Sequence, residues 1–270
     1  MIMNENLKKL EKKMFIEMYG EEEFENLKSL PKVKIPEEYS ERPPSIRAEI
    51  DKRNNLNQRE MKKFEDLFNE FNPENSEHDF RKIASNLMSN FVIRINTHEY
   101  LFTEIEFYCQ TIDKNRHHDP YVHGDDLQKR MSHWYFHGSG LDLTFGNELY
   151  YGGILIRGIK TKSDGEFKYI SGPLNVVKEL FSKANKVDEE NIFCLAYKNN
   201  ASILIDEPFF VRRVGLNEKH NEEFYNKKYR AIVDISSKHP FKEKEKVYKT
   251  LKEDSSVNVN LEKLFGYKIK

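Results

Sequence analysis

The sequence predicts an α+β fold, a sheet of short strands joined by tight turns and covered by amphipathic helices. Three observations predict it. In YLFTEIEFY at 100–108, Leu101, Thr103, Ile105 and Phe107 alternate with Phe102, Glu104, Glu106 and Tyr108, the two-residue period of a strand. Strand-like runs at 134–136, 141–145 and 153–159 are separated by glycines at 138, 140, 146, 152 and 153, which permit tight turns. On either side of these runs, apolar residues recur at helical spacing.

In chain order, Leu7, Leu10, Met14 and Met18 predict an amphipathic helix over 4–18. Pro31, Pro36, Pro43 and Pro44 then predict an extended segment over 29–47, because proline cannot hold a helix interior. Asn57 with Glu60 resembles a capping box; Met61, Phe64, Leu67, Phe68 and Phe71 form the buried stripe of a second helix, and Asn72-Pro73 stops it. A third helix starts near Ser76, buries Phe80, Ile83, Ala84, Leu87 and Met88, and runs into a strand at 91–95. The turn at 96–98 makes a hairpin into the acidic strand. After a polar stretch at 124–131, read as a short exposed helix or loop, the strands at 134–159 follow. Ser171-Gly172-Pro173 opens a helix with Leu174, Val177, Leu180 and Phe181 on its buried face, and such a helix start can bind an anion. Strands are expected at 201–205, 209–214 and 229–235, then a charged helix at 242–251 and a polar tail.

Charged residues make up 33% of the 270-residue chain, yet the net charge is only −1, which excludes a global basic field for nucleic acid. Two cysteines, Cys109 and Cys194, give no disulfide framework and suit a reducing compartment. The first residues lack the apolar core of a signal peptide, and no apolar run reaches membrane-spanning length. The expectation is a monomer of the cytoplasm, nucleus or nucleoid, with no membrane partner.

Glu104 and Glu106 sit on one strand face between aromatic rings, a poor choice for a face that merely packs, since an unpaired buried charge is costly. The alternative is an exposed face with both carboxylates solvated. Beyond the strand come Arg116, His117, His118, Asp119, His123, His133 and His137, so five of nine histidines fall between 117 and 137. Histidine titrates near neutral pH and both donates and accepts, so this concentration beside carboxylates reads as a site. His117, His118 and Asp119 have metal-ligating chemistry, but adjacent histidines seldom serve one ion, and a phosphate contact or a capping role is favoured. No metal and no cofactor is expected. Arg157, among the isoleucines of ILIRGI, is either paired with Glu104 or Glu106 or aimed into a cavity.

Several pieces in order from about residue 78 to 235 resemble the alkyladenine (methylpurine) DNA glycosylase family: the Ile83-Ala84 to Leu87 helix, TEIEFY at 103–108, DPYVH at 119–123, ILIRGI at 154–159, SGPLNVVKEL at 171–180 and VRRVGLNEKHNEEFYNKKYRAIV at 211–233. The resemblance implies a single-domain, mixed but mainly antiparallel sheet with surrounding helices over 76–240. An N-terminal helical arm precedes it at 1–75, and a C-terminal helix and tail follow at 241–270. It implies a monofunctional DNA glycosylase, in which Glu106 activates the attacking water and Arg157 helps to hold it. Tyr108 and His123 become pocket walls for an extruded base, and Phe136, counted back from Gly140, a second stacking ring. Ser139 stands where the family has a wedging tyrosine, and the family's pocket-gating asparagine falls on Gly146, with Asn147 one place away.

Neither TEIEFY nor ILIRGI holds a lysine for a Schiff base, so simple hydrolysis is expected. The partner would be double- or single-stranded DNA, met by a local basic surface of Lys160, Lys162, Arg212, Arg213, Lys228 and Arg230. Two other classes compete with this reading: a catalytically silent nucleic-acid-binding module, and a metal-dependent hydrolase built on the histidines.

Overall fold

The long strand β2 (His98–Thr111) runs between partners on both edges. The structure, a computed structural model, describes residues 64–163, 165–197, 207–255 and 257–266, all within one compact unit, Arg53–Lys270. The helix expected over 4–18, the proline-rich segment, the start of the second helix at Asn57 and the strand expected at 201–205 lie outside the described residues.

β1 (Phe91–Ile95) folds onto the first half of β2 through a turn in which Asn96 takes φ 51°, a left-handed conformation that asparagine tolerates. β5 (Tyr150–Ser163) lies along the other edge of β2. Beyond β5 come β4 (Gly140–Thr144) and β3 (Trp134–His137) at one end and β6 (Glu166–Ser171) at the other. β7 (Phe193–Tyr197) extends the sheet past β1, and β8 (Phe209–Val211) joins it through β9 (Arg230–Ile232). Among the described residues every strand pair is antiparallel. The fold is therefore α+β, with the helices set around an antiparallel sheet.

The sheet splits in its middle. β1 leaves β2 at Leu101, and β9 takes over the same edge at Glu104. On β5, β4 leaves at Leu155 and β6 begins at Gly158. Thr103 on β2 and Arg157 on β5 each have no opposite number in the β2–β5 register, so each is an extra residue of a bulge. The bulge changes the phase of the strand: Phe102 joins Ile105, Phe107 and Cys109 in the core, rather than the acidic face on which strict alternation placed it. Backbone groups freed by the split find other partners, with Gly172 N–H donating to Arg157 O at 2.8 Å and Val233 N–H to Thr103 O at 3.0 Å.

The main core lies under α1 (Ser76–Asn90), which inserts Phe80, Ile83, Ala84, Leu87 and Met88 as its periodicity predicted. Phe80 stacks on Phe107 with ring centroids 4.3 Å apart, and Phe68 stacks on Phe145 at 4.7 Å. Phe64 and Phe68 are buried in this same core, so the domain edge expected at residue 76 runs through a single packed unit. Each buried phenylalanine contributes about 1.5–3 kcal/mol. α2 (Pro173–Phe181) packs Val176 and Leu180 inward, while Leu174 and Phe181 of the expected stripe stay exposed. The short α3 (Glu222–Asn226) buries Phe224. At the C-terminal end, α4 (Lys244–Glu253) and α5 (Leu261–Phe265) close a second, smaller cluster around Val211, Ile232, Phe241 and Phe265. That part of the chain is packed rather than the polar tail expected.

Candidate active site

The bulge sets the site. It turns Arg157 onto the face that carries Glu104 and Glu106, and all three are buried. Arg157 Nε donates to Glu104 Oε1 at 2.9 Å and lies 3.4 Å from Glu106 Oε1. Arg230, from β9, donates its own Nε to the same Glu104 oxygen at 2.8 Å. Glu104 thus carries two guanidinium groups. Glu106 is held by neutral donors: Val214 N–H reaches Oε1 at 2.7 Å and the Tyr108 hydroxyl reaches Oε2 at 2.8 Å. Burial opposes the Arg157 charge, but Glu106 and Glu104 outweigh it and raise its pKa. Burial, then Glu106, pushes the Tyr108 phenol well above its usual value, so this hydroxyl stays a donor.

A pocket of about 220 Å³ opens beside these groups, lined among others by Tyr108, Tyr121, His123, His137, Asp142 and Arg157. Glu106 lies directly behind that wall, whose members Tyr108, Arg157 and Val214 are its own partners. The pocket is smaller than the about 300–1,000 Å³ of drug-sized sites and suits one planar ring system. His123 meets His137 edge to face at 4.5 Å, and burial, then His137, lowers its pKa, which favours a neutral imidazole at pH 7. His137 Nε2 lies 3.0 Å from Asp142 Oδ1.

The wall behind Tyr108 is fixed by a second ion pair. Arg213 donates to both carboxylate oxygens of Asp119, at 2.6 and 3.2 Å, and to the carbonyls of Phe107 and Phe224. Its guanidinium also sits 4.5 Å from the centre of the Tyr108 ring. The loop from β2 to His123 is thereby clamped to the segment that follows β8.

Several expected roles move. Asp119 is an internal counter-ion rather than a phosphate contact or cap. Phe136 points to the opposite face, packed on Phe181 and Phe193, because Trp134 and Phe136 share one side of β3 while Tyr135 and His137 share the other; His137 holds the pocket position. Asn147 is exposed and accepts Leu149 N–H in its own turn, away from the pocket. Of the expected DNA-binding residues, Arg213 and Arg230 are buried in the ion pairs just described, and Lys160 is buried 2.6 Å from Asp234. Lys228 is paired with Asp254, Arg212 donates to Asn226, and Lys162 is exposed. Of the five histidines between 117 and 137, His123 and His137 reach the pocket and the other three do not. His117 is buried edge-on to Phe224, His118 bonds Gln110, and His133 meets the Met131 carbonyl. Among the described residues no three His, Cys, Asp or Glu side chains are arranged to hold a metal ion.

Sequence reasoning passed over Asp142, Tyr121 and Gln128, all of which line the pocket. Asp142 carried a usable signal. It interrupts the apolar run Leu141, Leu143 as Arg157 interrupts its isoleucines, and a charge at such a position asks for a partner or a cavity.

No protein-family profile matches the chain. It is similar to an uncharacterized protein of Acanthamoeba polyphaga mimivirus, 28% identical over 194 residues, covering 58% of this chain and 87% of the viral protein. No helix among the described residues is long and apolar enough to cross a membrane.

Proposed function

We propose that the protein is a DNA glycosylase that hydrolyses the N-glycosidic bond of a modified or damaged base turned out of the helix. The observation that carries the reading is Glu106: a buried carboxylate, bonded by neutral donors, behind a pocket sized for a single base and walled by Tyr108, Tyr121 and two histidines. Glu106 takes the proton of the attacking water, and its charge stabilises the oxocarbenium-like sugar as the bond breaks. Arg157 orients that water from the pocket wall. The Tyr108 hydroxyl covers Glu106 Oε2, so substrate entry has to displace it or bring water to the Oε1 side. Stacking on Tyr108 and Tyr121 returns about 1–3 kcal/mol per base, which offsets the few kcal/mol of unstacking.

A smaller cavity shares Gly215 and Leu216 with the larger pocket; of the cations that line it, Arg213 and Arg230 are spent on Asp119 and Glu104 and Lys246 pairs with Glu243, so DNA contact at this rim falls to Arg212. The test is incubation with duplex and single-stranded oligonucleotides that carry alkylated, deaminated and hypermodified bases, followed by alkaline cleavage. Alkali-labile sites at the modified base are expected; their absence across the panel would remove the proposal.

A further inference from the structure

The smaller cavity beside the pocket, of about 100 Å³, is lined by Arg213 and Arg230, both buried, and by one face of α4 that carries Lys246 and Thr250. An arginine donates through Nε and through both terminal nitrogens. The terminal nitrogens of Arg213 are taken by both Asp119 oxygens and by the carbonyls of Phe107 and Phe224, and its Nε, also buried, has no acceptor among the described residues. Arg230 gives Nε to Glu104 and Nη2 to the Lys242 carbonyl, and its Nη1 has no acceptor either. A buried donor left unpaired is costly, and two of them on residues that line one cavity call for an acceptor inside it.

Charge decides which acceptor. Asp119 balances Arg213 and Glu104 pairs with Arg230, while Glu243, the carboxylate in the lining, is held by Lys246 Nζ at 2.9 Å. Arg212 also lines the cavity, but it bonds the neutral amide of Asn226 and lies against the Tyr225 ring. The lining therefore keeps a positive charge that its own carboxylates do not match. Water would satisfy the donors and leave that charge uncompensated, whereas an oxyanion answers both. The volume is several times the about 10–15 Å³ that a single water needs, and a tetrahedral anion accepts from several directions at once.

We propose that this cavity is an oxyanion site that takes a phosphate group, held by Arg213 Nε, Arg230 Nη1 and the charge of Arg212, and separate from the base pocket that it adjoins at Gly215 and Leu216. A free phosphate ion and a phosphodiester of a nucleic-acid backbone share this chemistry. Arg213 fixes the wall behind Tyr108 and Arg230 holds Glu104, so an anion bonded to both ties the two ion pairs together. Its binding stabilises the folded chain, because the unfolded chain does not assemble these donors. The site exists whether or not the chain releases bases.

The experiment titrates the full chain with inorganic phosphate, at an ionic strength held constant with chloride, and records binding heat and melting temperature. A specific site gives a one-to-one isotherm and a rise in melting temperature that follows the binding curve; exclusion of phosphate from the protein surface gives a rise linear in concentration and no isotherm. Arg212→Ala should weaken phosphate binding by about ten- to a hundredfold, the share of one charge-assisted hydrogen bond. Thr250→Glu sets a carboxylate into the cavity, so it should abolish the isotherm and, in chloride alone, melt above Thr250→Gln. Thr250→Gln, of the same size and neutral, should keep a measurable isotherm. Competition with a short oligonucleotide separates the two sources: displacement of phosphate assigns the site to a nucleic-acid backbone, and phosphate binding unchanged by the oligonucleotide assigns it to the free ion. A linear response alone, equal behaviour of the two Thr250 variants, or an isotherm that survives intact in both Arg212→Ala and Thr250→Glu would overturn the proposal.

Discussion

Glu104 and Glu106 are two residues apart on β2, both buried and both beside Arg157, and their surroundings differ in kind. Glu104 accepts from two arginine Nε groups on one oxygen, so its charge is consumed in joining β2, β5 and β9 where the sheet splits. Glu106 accepts from a backbone amide and a phenol and stands behind a pocket wall. The same residue type on the same strand face thus serves as a rivet at one position and as the reactive group of the proposed chemistry at the other. What separates them is the number of guanidinium groups bonded: Glu104 has two, while Glu106 has one at 3.4 Å beside its two neutral donors.

The comparison is tested hardest by removing the rivet. Glu104→Ala leaves Arg157 and Arg230 buried without their common counter-ion, and about 3–5 kcal/mol of stability should be lost in denaturant unfolding. A loss below about 1 kcal/mol would mean that the arginines are satisfied elsewhere. Asp119→Ala should cost a similar about 3–5 kcal/mol by stranding Arg213, and should release the loop carrying His123, read as faster hydrogen exchange of residues 116–123.

Acidification probes the buried imidazoles on either side of the site. Burial, then Lys227 and Arg213, lowers His117 to about 4, and burial outweighs the attraction of Glu104 to lower His239 to about 4. The unfolded chain therefore binds protons that the folded chain refuses. Stability from these two groups is complete above pH about 6.5 and is lost as pH falls toward 4, by about 3 kcal/mol each. Chemical-denaturation midpoints measured between pH 7 and 4 should fall accordingly, and His239→Gln should flatten the slope. At the small end, Lys162→Ala should change stability by less than about 0.5 kcal/mol, because its exposed side chain carries none of the site's internal charge pairing.

Much of the fold was legible because burial wrote it as periodicity. α1, β1, β2 and α2 follow from apolar spacing and from Ser171-Gly172-Pro173, where Gly172 takes φ 97° just before the proline. β6 and β7 went unread, since EFKYIS looks polar and FCLAY is short. The bulge was hidden for a physical reason: an inserted residue inverts the alternation without altering composition, so Phe102 read as outward and Thr103 as inward. For the site, Glu106, Tyr108, His123 and Arg157 were legible from residue type and order. Arg213 and Arg230 were not, because a buried arginine and a surface arginine look alike until the carboxylates opposite them, Asp119 and Glu104, are placed.

The most direct measurement of the central claim is base release by Glu106→Gln and Glu104→Gln side by side, with DNA binding and melting recorded for both. Glu106→Gln should keep its fold and its DNA binding and lose about two to four orders of magnitude in base release. Glu104→Gln should melt earlier and, at a temperature where it is folded, retain most of its turnover. The account is contradicted if Glu104→Gln abolishes base release while Glu106→Gln preserves it.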